Sequence, residues 1–176
     1  VSQKLKIPLD VAVVRKIQIP WNTEAGFGAV TWDGRVLLND LLVNQLGLRT
    51  EAVGQCISRT QELVRQRAQM FRGNKPPPDL NGKTVVLVDD GLASGFTMLA
   101  AVESIRTQRP EKIVVAVPTA SAGAIGLLAP KVEELVCLNV RRGPIFAVAD
   151  AYEKWYDLSD DEVLELLKRK ETAGGP

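Results

Sequence analysis

With 176 residues, 45% of them apolar and 24% charged, the chain is sized for one compact domain with a real core and is too short for two ordinary ones. Its 22 Lys and Arg against 21 Asp and Glu leave a net charge of +1, so no bulk field draws it to nucleic acid or to an anionic membrane, and any phosphate chemistry must be local. There is no histidine, which excludes Ser-His and Cys-His nucleophile pairs, imidazole zinc sites and histidine acid–base catalysis within the chain.

The opening VSQKLK lacks the apolar core of a signal peptide, and no apolar run approaches the roughly 20 residues of a bilayer-spanning helix, so a cytoplasmic location is expected. Residues 9–14 (LDVAVV) read as a buried strand ending in the basic pair Arg15-Lys16. Two β-like stretches, residues 27–32 and 35–38, flank Asp33-Gly34, a strong hairpin signal. From Thr50, a candidate cap, the period changes: Val53, Cys56, Ile57, Leu63, Val64 and Phe71 share one face of a long amphipathic helix. Residues 73–82 (GNKPPPDLNG) cannot be helical, because three consecutive prolines remove donors and restrict their predecessors.

Residues 84–88 (TVVLV) form the next buried strand, followed by Asp89-Asp90 and a short loop. Met98, Ala101, Val102 and Ile105 then repeat at helical spacing. Residues 112–117 and 135–138 supply further buried strands, with the segment 121–128 between them. Ser159 with Glu162 makes a capping box before a terminal helix of about ten residues. Apolar strands alternating with helices predict an α/β domain whose parallel sheet is covered on both faces. Cys56 and Cys137 stand far apart without any CxxC spacing and read as reduced core residues.

The chemistry concentrates in residues 85–97, VVLVDDGLASGFT. Ligand crevices of open parallel sheets lie beyond the carboxyl ends of strands, and here that end carries two adjacent carboxylates. The small residues Ala93, Ser94 and Gly95 follow, then Phe96 and Thr97 at a helix start. Successive backbone amides in such a loop converge on one phosphate, and the hydroxyls of Ser94 and Thr97 add donors. Carboxylates repel that phosphate but accept hydrogen bonds from the hydroxyls of a sugar attached to it, so diol plus phosphate points to a ribose 5-phosphate. No Lys follows the second Gly as in a nucleotide P-loop, and GxGxxG is absent. A solvated acidic pair and ordinary turn chemistry are the bland alternatives for the same residues.

This segment strongly resembles the signature of the type I phosphoribosyltransferases: a hydrophobic strand, two acidic residues, four mostly small or apolar residues ending in Ser or Thr, then Gly, any residue and Thr. With Leu9-Asp10, Val14-Arg15-Lys16, Arg72-Gly73 and the run from Val115 to Pro118, the sequence over about residues 9–170 is similar to a prokaryotic branch of that family. The resemblance implies a three-layer α/β fold with a mainly parallel sheet, a flexible lid and a small C-terminal hood. It implies Mg²⁺-dependent transfer of phosphoribose from phosphoribosyl pyrophosphate to a nitrogenous base in nucleotide metabolism, with the ion carried mainly by that ligand and no dedicated protein metal site. Asp89 and Asp90 would hold the ribose hydroxyls, and Ala93, Ser94, Gly95, Phe96 and Thr97 would wrap the 5-phosphate. Arg15 and Lys16 would face the pyrophosphate, with Arg67, Arg72 or Lys75 closing over it from the lid. Phe146 and its neighbours to Val148 would form the hood over the acceptor.

Some relatives keep the sugar-phosphate loop for gene control, so a non-catalytic phosphoribosyl pyrophosphate sensor is the alternative. The resemblance also implies oligomers, often dimers, which nothing in the sequence itself shows; no nucleic-acid or membrane partner is expected. It further places a strand and a pyrophosphate loop of Arg-Gly-Gly type upstream of residue 9. Nothing in residues 1–176 corresponds to them, and residues preceding Val1 are expected to supply both. Without that strand, residues 9–14 would not neighbour residues 84–88, and two strand edges would stay unpaired.

Overall fold

Asp33 and Gly34 turn the chain between two antiparallel strands as the sequence predicts, with Gly34 at φ 83° and the Thr31 hydroxyl donating to the Asp33 carboxylate. In the computed structural model, which describes residues 1–143 and 146–172, a single helical turn, α1 (Ser2–Leu5), precedes a sheet of three strands. These are β1 (Val14–Ile19), β2 (Asn22–Thr31) and β3 (Val36–Leu38), antiparallel and in that order. The strand expected over residues 9–14 thus starts only at its last residue, and Leu9 is exposed. β2 is the reason: it offers ladder partners from Thr31, opposite Val14, to Asn22, opposite Ile19, and residues before Val14 are opposite none. Arg15 and Lys16 therefore lie in the body of β1 rather than at its tip.

α2 (Asp40–Gln45) is capped by the Asn39 side chain, which accepts from the Leu42 amide at 3.1 Å. The amphipathic helix is α3 (Thr50–Arg72). Thr50 is its first helical residue and not its cap; extended Arg49 takes that place without a side-chain bond. Val53, Cys56, Ile57, Val64 and Phe71 pack on Ile17, Phe27 and Val30 of the antiparallel sheet, whereas Leu63, expected on the same face, is exposed.

The second sheet is parallel, with β4 (Thr84–Val88), β5 (Lys112–Ser121) and β6 (Glu134–Arg141) in sequential order. α4 (Phe96–Arg106) connects the first pair and α5 (Ala122–Leu128) the second. Both helices pack on the face that carries Leu87, Ile113, Val115 and Val117; α4 also meets β1 and β2, and Val14, Trp32 and Leu37 pack against the same cluster. Among the described residues, the helices that connect these strands cover this face. On the other, among the described residues, Val136, Leu138 and Val140 are exposed. No ladder joins β1 to β4: each has a hydrogen-bonded neighbour on one side alone among the described residues. Ile113, fully buried between α4 and the sheet, is the test of this core. Ile113→Ala is expected to cost about 2–5 kcal/mol, read as a lower denaturant midpoint at unchanged slope.

Residues 73–83 run without helix or strand, as the prolines dictate. At the C-terminal end, α6 (Asp160–Thr172) begins with the expected capping box: the Ser159 amide donates to Glu162 at 2.8 Å and the Glu162 amide to the Ser159 hydroxyl at 3.3 Å. No described helix is long and apolar enough to cross a membrane.

Candidate sugar-phosphate site

β4 ends at Val88, and the chain must travel from the parallel sheet to the start of α4 in seven residues, Asp89 to Gly95. Buried Leu92 anchors this path by strand-like pairing with Ala120: its amide donates to the Thr119 carbonyl at 3.0 Å, and its carbonyl accepts from the Ser121 amide at 2.9 Å. The Ser121 hydroxyl donates to the Ala93 carbonyl at 2.6 Å and accepts from the Ala124 amide at 3.0 Å, so one side chain ties the loop to the first turn of α5. The Leu92 and Ala93 carbonyls are thus both engaged by Ser121 at the end of β5.

Gly95 caps α4 at φ 74°, a left-handed conformation that favours glycine, and a Cβ there would stand 3.0 Å from the Ala124 Cβ. The Ser94 hydroxyl oxygen accepts from the Phe96 amide at 3.3 Å, and its O–H remains able to donate. The amides opening α4 have no carbonyl one turn behind them and carry the positive end of the helix. Ala93, Ser94, Gly95, Phe96 and Thr97 all line a cavity of about 440 Å³. Its opposite wall is Lys16 of β1 with Ala25, Gly26 and Gly28 of β2. Those glycines are steric necessities, since a Cβ would lie 2.9 Å from the Ile17 carbonyl at Gly26 and 2.7 Å from the Leu37 carbonyl at Gly28.

Just before the loop, and outside the residues that line this cavity, the Asp90 amide donates to the Asp89 carboxylate at 2.9 Å. Desolvation first, and the neighbouring Asp90 charge second, push the Asp89 carboxyl up to about 6. The pair is thus a crowded, electron-rich edge that gains from hydroxyl donors. Hard oxygen donors of this kind also fit Mg²⁺, but among the described residues no three His, Cys, Asp or Glu side chains gather, so the protein by itself offers an incomplete shell.

Of the other sequence-predicted residues, Lys16 comes to the loop and the arginines do not. Arg15 lines an adjacent cavity of about 360 Å³ with Arg67 and, again, Lys16. Arg67 is held by Asp160 of α6 at 2.6 Å and lies over the Phe71 ring. Arg72, largely buried, pairs with Asp10 at 2.8 Å and donates to the Pro76 carbonyl. Both arginines therefore tie α3 to neighbouring segments instead of facing the acidic pair. Phe146 is half-buried and does not line the loop cavity; Val148 does.

Sequence reasoning missed Ser121, Gly26, Gly28 and Tyr152. The Tyr152 hydroxyl donates to the Asp90 carbonyl at 2.6 Å across 62 residues of chain. A small-residue signal was present at Gly26 and Gly28, whereas nothing local distinguishes Ser121 or Tyr152.

Residues 33–141 match the phosphoribosyl transferase domain. Over 170 residues, 96% of this chain, it is 37% identical to a Mycobacterium tuberculosis protein that bears the name of a phosphoribosyl transferase. The chain spans only 38% of the length of that relative. A shorter stretch of 73 residues is 36% identical to ribose-phosphate pyrophosphokinase of Pyrococcus furiosus, covering 40% of this chain and 26% of that one. The crystal structure of TT1426 from Thermus thermophilus shares the fold at a TM-score of 0.74 and 32% identity, over 96% of this chain and 79% of that one. With its strand, acidic pair, small-residue loop and helix inside the matched region, the chain belongs to the phosphoribosyl transferase domain family.

Proposed function

We propose that this chain provides the sugar-phosphate half of a Mg²⁺-dependent phosphoribosyltransferase that moves phosphoribose from phosphoribosyl pyrophosphate to a nitrogenous base. One observation carries the reading: Lys16 and residues 93–97 share a single cavity of about 440 Å³, on a loop whose Leu92 and Ala93 carbonyls are held by Ser121 and which directly follows the acidic pair in the chain. Residues 93–97 bind the 5-phosphate, with the Ser94 and Thr97 hydroxyls joining loop amides other than that of Phe96, and the Asp89 and Asp90 carboxylates accept the vicinal hydroxyls. Lys16 faces the negative charge that grows on the leaving group.

In the transfer, the bond from the anomeric carbon to pyrophosphate breaks with its electron pair on the departing oxygen. A ring nitrogen of the base forms the new bond and releases its proton to water. The chain holds the sugar, orients the anomeric carbon and excludes water, and needs no histidine for any of these. Bound Mg²⁺ supplies charge neutralisation on the pyrophosphate and ribose oxygens.

The test is a pyrophosphate-release screen of purines, pyrimidines and related bases with Mg²⁺ and phosphoribosyl pyrophosphate. Release with one base names the acceptor. Saturable binding without release from any base would favour a sensor, and no binding at all would overturn the reading.

A further inference from the structure

The segment after β6 touches the acidic turn at two points. Val148 lies against Gly91 so closely that a Cβ on this glycine would come within 2.6 Å of its Cγ1. Four residues later the Tyr152 hydroxyl reaches the Asp90 carbonyl at 2.6 Å. Between these contacts the chain forms a short 3-10 turn, Val148–Ala151. It is held by the Asp150 amide on the Ala147 carbonyl at 3.1 Å and the Tyr152 amide on the Ala149 carbonyl at 3.1 Å. The Tyr152 ring is steadied by Trp155, centroid to centroid 5.1 Å. The result is a strut between the C-terminal segment and the peptide that carries the second aspartate.

The phosphate loop has different supports. Leu92 and Ala93 hang on Thr119 and Ser121 of β5, with no contribution from Tyr152. The hydrogen bonds that hold the phosphate loop and the one that holds the Asp90 peptide thus come from separate parts of the chain, the end of β5 and Tyr152.

We propose that Tyr152 is a positioning residue for diol recognition: its hydroxyl holds the Asp90 peptide so that the Asp89 and Asp90 carboxylates present their oxygens to the two sugar hydroxyls, while phosphate binding proceeds without it. The inference rests on the sugar-phosphate reading above. Desolvation and the charges of Asp90 and Asp89 raise the Tyr152 pKa, which keeps the phenol protonated and a donor across the neutral range.

The experiment is calorimetric titration of the full protein and of Tyr152→Phe with inorganic phosphate, 2-deoxyribose 5-phosphate and ribose 5-phosphate, each with Mg²⁺. The phenylalanine keeps the ring on Trp155, and thermal melts verify that the fold survives. Tyr156→Phe, an exposed tyrosine nearby, is the control. Wild type is expected to prefer ribose 5-phosphate over its 2-deoxy analogue. Tyr152→Phe is expected to lose about 2- to 10-fold for ribose 5-phosphate, the worth of one neutral hydrogen bond, with less loss for the deoxy sugar and none for phosphate. In turnover the same variant is expected to raise KM for phosphoribosyl pyrophosphate more than it lowers kcat.

Equal losses for all three ligands would mean a general structural role and would overturn the proposal, as would unchanged affinity for ribose 5-phosphate. Wild type binding phosphate but not distinguishing ribose from deoxyribose would instead remove the diol reading itself. The two failures are told apart by the wild-type column alone.

Discussion

Asp89→Asn combined with Asp90→Asn is expected to abolish calorimetrically detectable binding of phosphoribosyl pyrophosphate and, at pH 7.5, to raise the melting temperature. The first half follows from chemistry, since an amide presents one acceptor oxygen where a carboxylate presents two charged ones, and it adds N–H donors that oppose the hydroxyls. The second half follows from linkage. The Asp89 carboxyl titrates at about 6 in the fold against an ordinary value of 3.8, so the folded state holds a proton that the unfolded chain has released between about pH 4 and pH 6. Stability therefore falls as pH rises through that window, and at neutral pH the fold carries a cost for the Asp89 charge beside Asp90, reduced by the water that reaches both exposed carboxylates. Removing both charges relieves this cost, the usual relation between a functional site and the stability of its fold.

Wild-type affinity for the sugar phosphate is expected to decline as pH falls through about 6, when Asp89 takes up its proton and becomes a poorer acceptor. Melting curves and titrations at pH 5 and 7.5 check both statements. Retained affinity in the double variant would defeat the site assignment, and a lower melting temperature at pH 7.5 would show that the carboxylates support the fold.

Gly95→Ala is expected to lower phosphate affinity about tenfold or more and to destabilise the protein by about 2 kcal/mol, a fall of several degrees in melting temperature. Gly95 sits at φ 74°, where an L side chain is strained. Its Cβ would also stand 3.0 Å from the Ala124 Cβ and 3.2 Å from the Ala124 Cα, and the latter is backbone that cannot swing aside. Relief requires α4 to back away from α5, which opens the ring of amides that receives the anion. Gly47→Ala is the matched control, with φ 60° and nothing within 4 Å of the added Cβ. It is expected to lose stability from strain alone and to leave ligand affinity unchanged. Equal phosphate affinity in wild type and Gly95→Ala would separate the loop from anion binding.

The legible parts of this molecule share a short range. Thr84–Val88 is a strand with the expected bounds because four β-branched residues and one leucine stand between a Gly-Lys pair and two aspartates. The helix behind it shows Met98, Ala101, Val102 and Ile105 on its buried side, all predicted by spacing. Ser159 and Glu162 cap each other across a single turn. In each case the deciding partners lie within a few residues, so local chemistry is enough.

Where the sequence misleads, the partner is distant. Residues 9–14 have the composition of a strand, but a strand exists only where another offers a ladder, and β2 starts its offer at Val14. The partners of Arg67 and Arg72 are equally distant: the sequence shows two cations near a proline-rich loop, and the structure pairs them with Asp160 and Asp10.

From its residues alone, then, the chain specifies the order of its elements, the acidic pair, the small-residue loop and the absence of any histidine chemistry. Tertiary structure alone decides that Lys16 rather than an arginine faces that loop, that Ser121 engages its Leu92 and Ala93 carbonyls, and that Tyr152 grips the second aspartate. The physical reason is range: dihedral preference, capping and periodicity act between near neighbours, whereas register, ion-pair choice and hydrogen bonds across 62 residues are settled only when the sheets and helices meet.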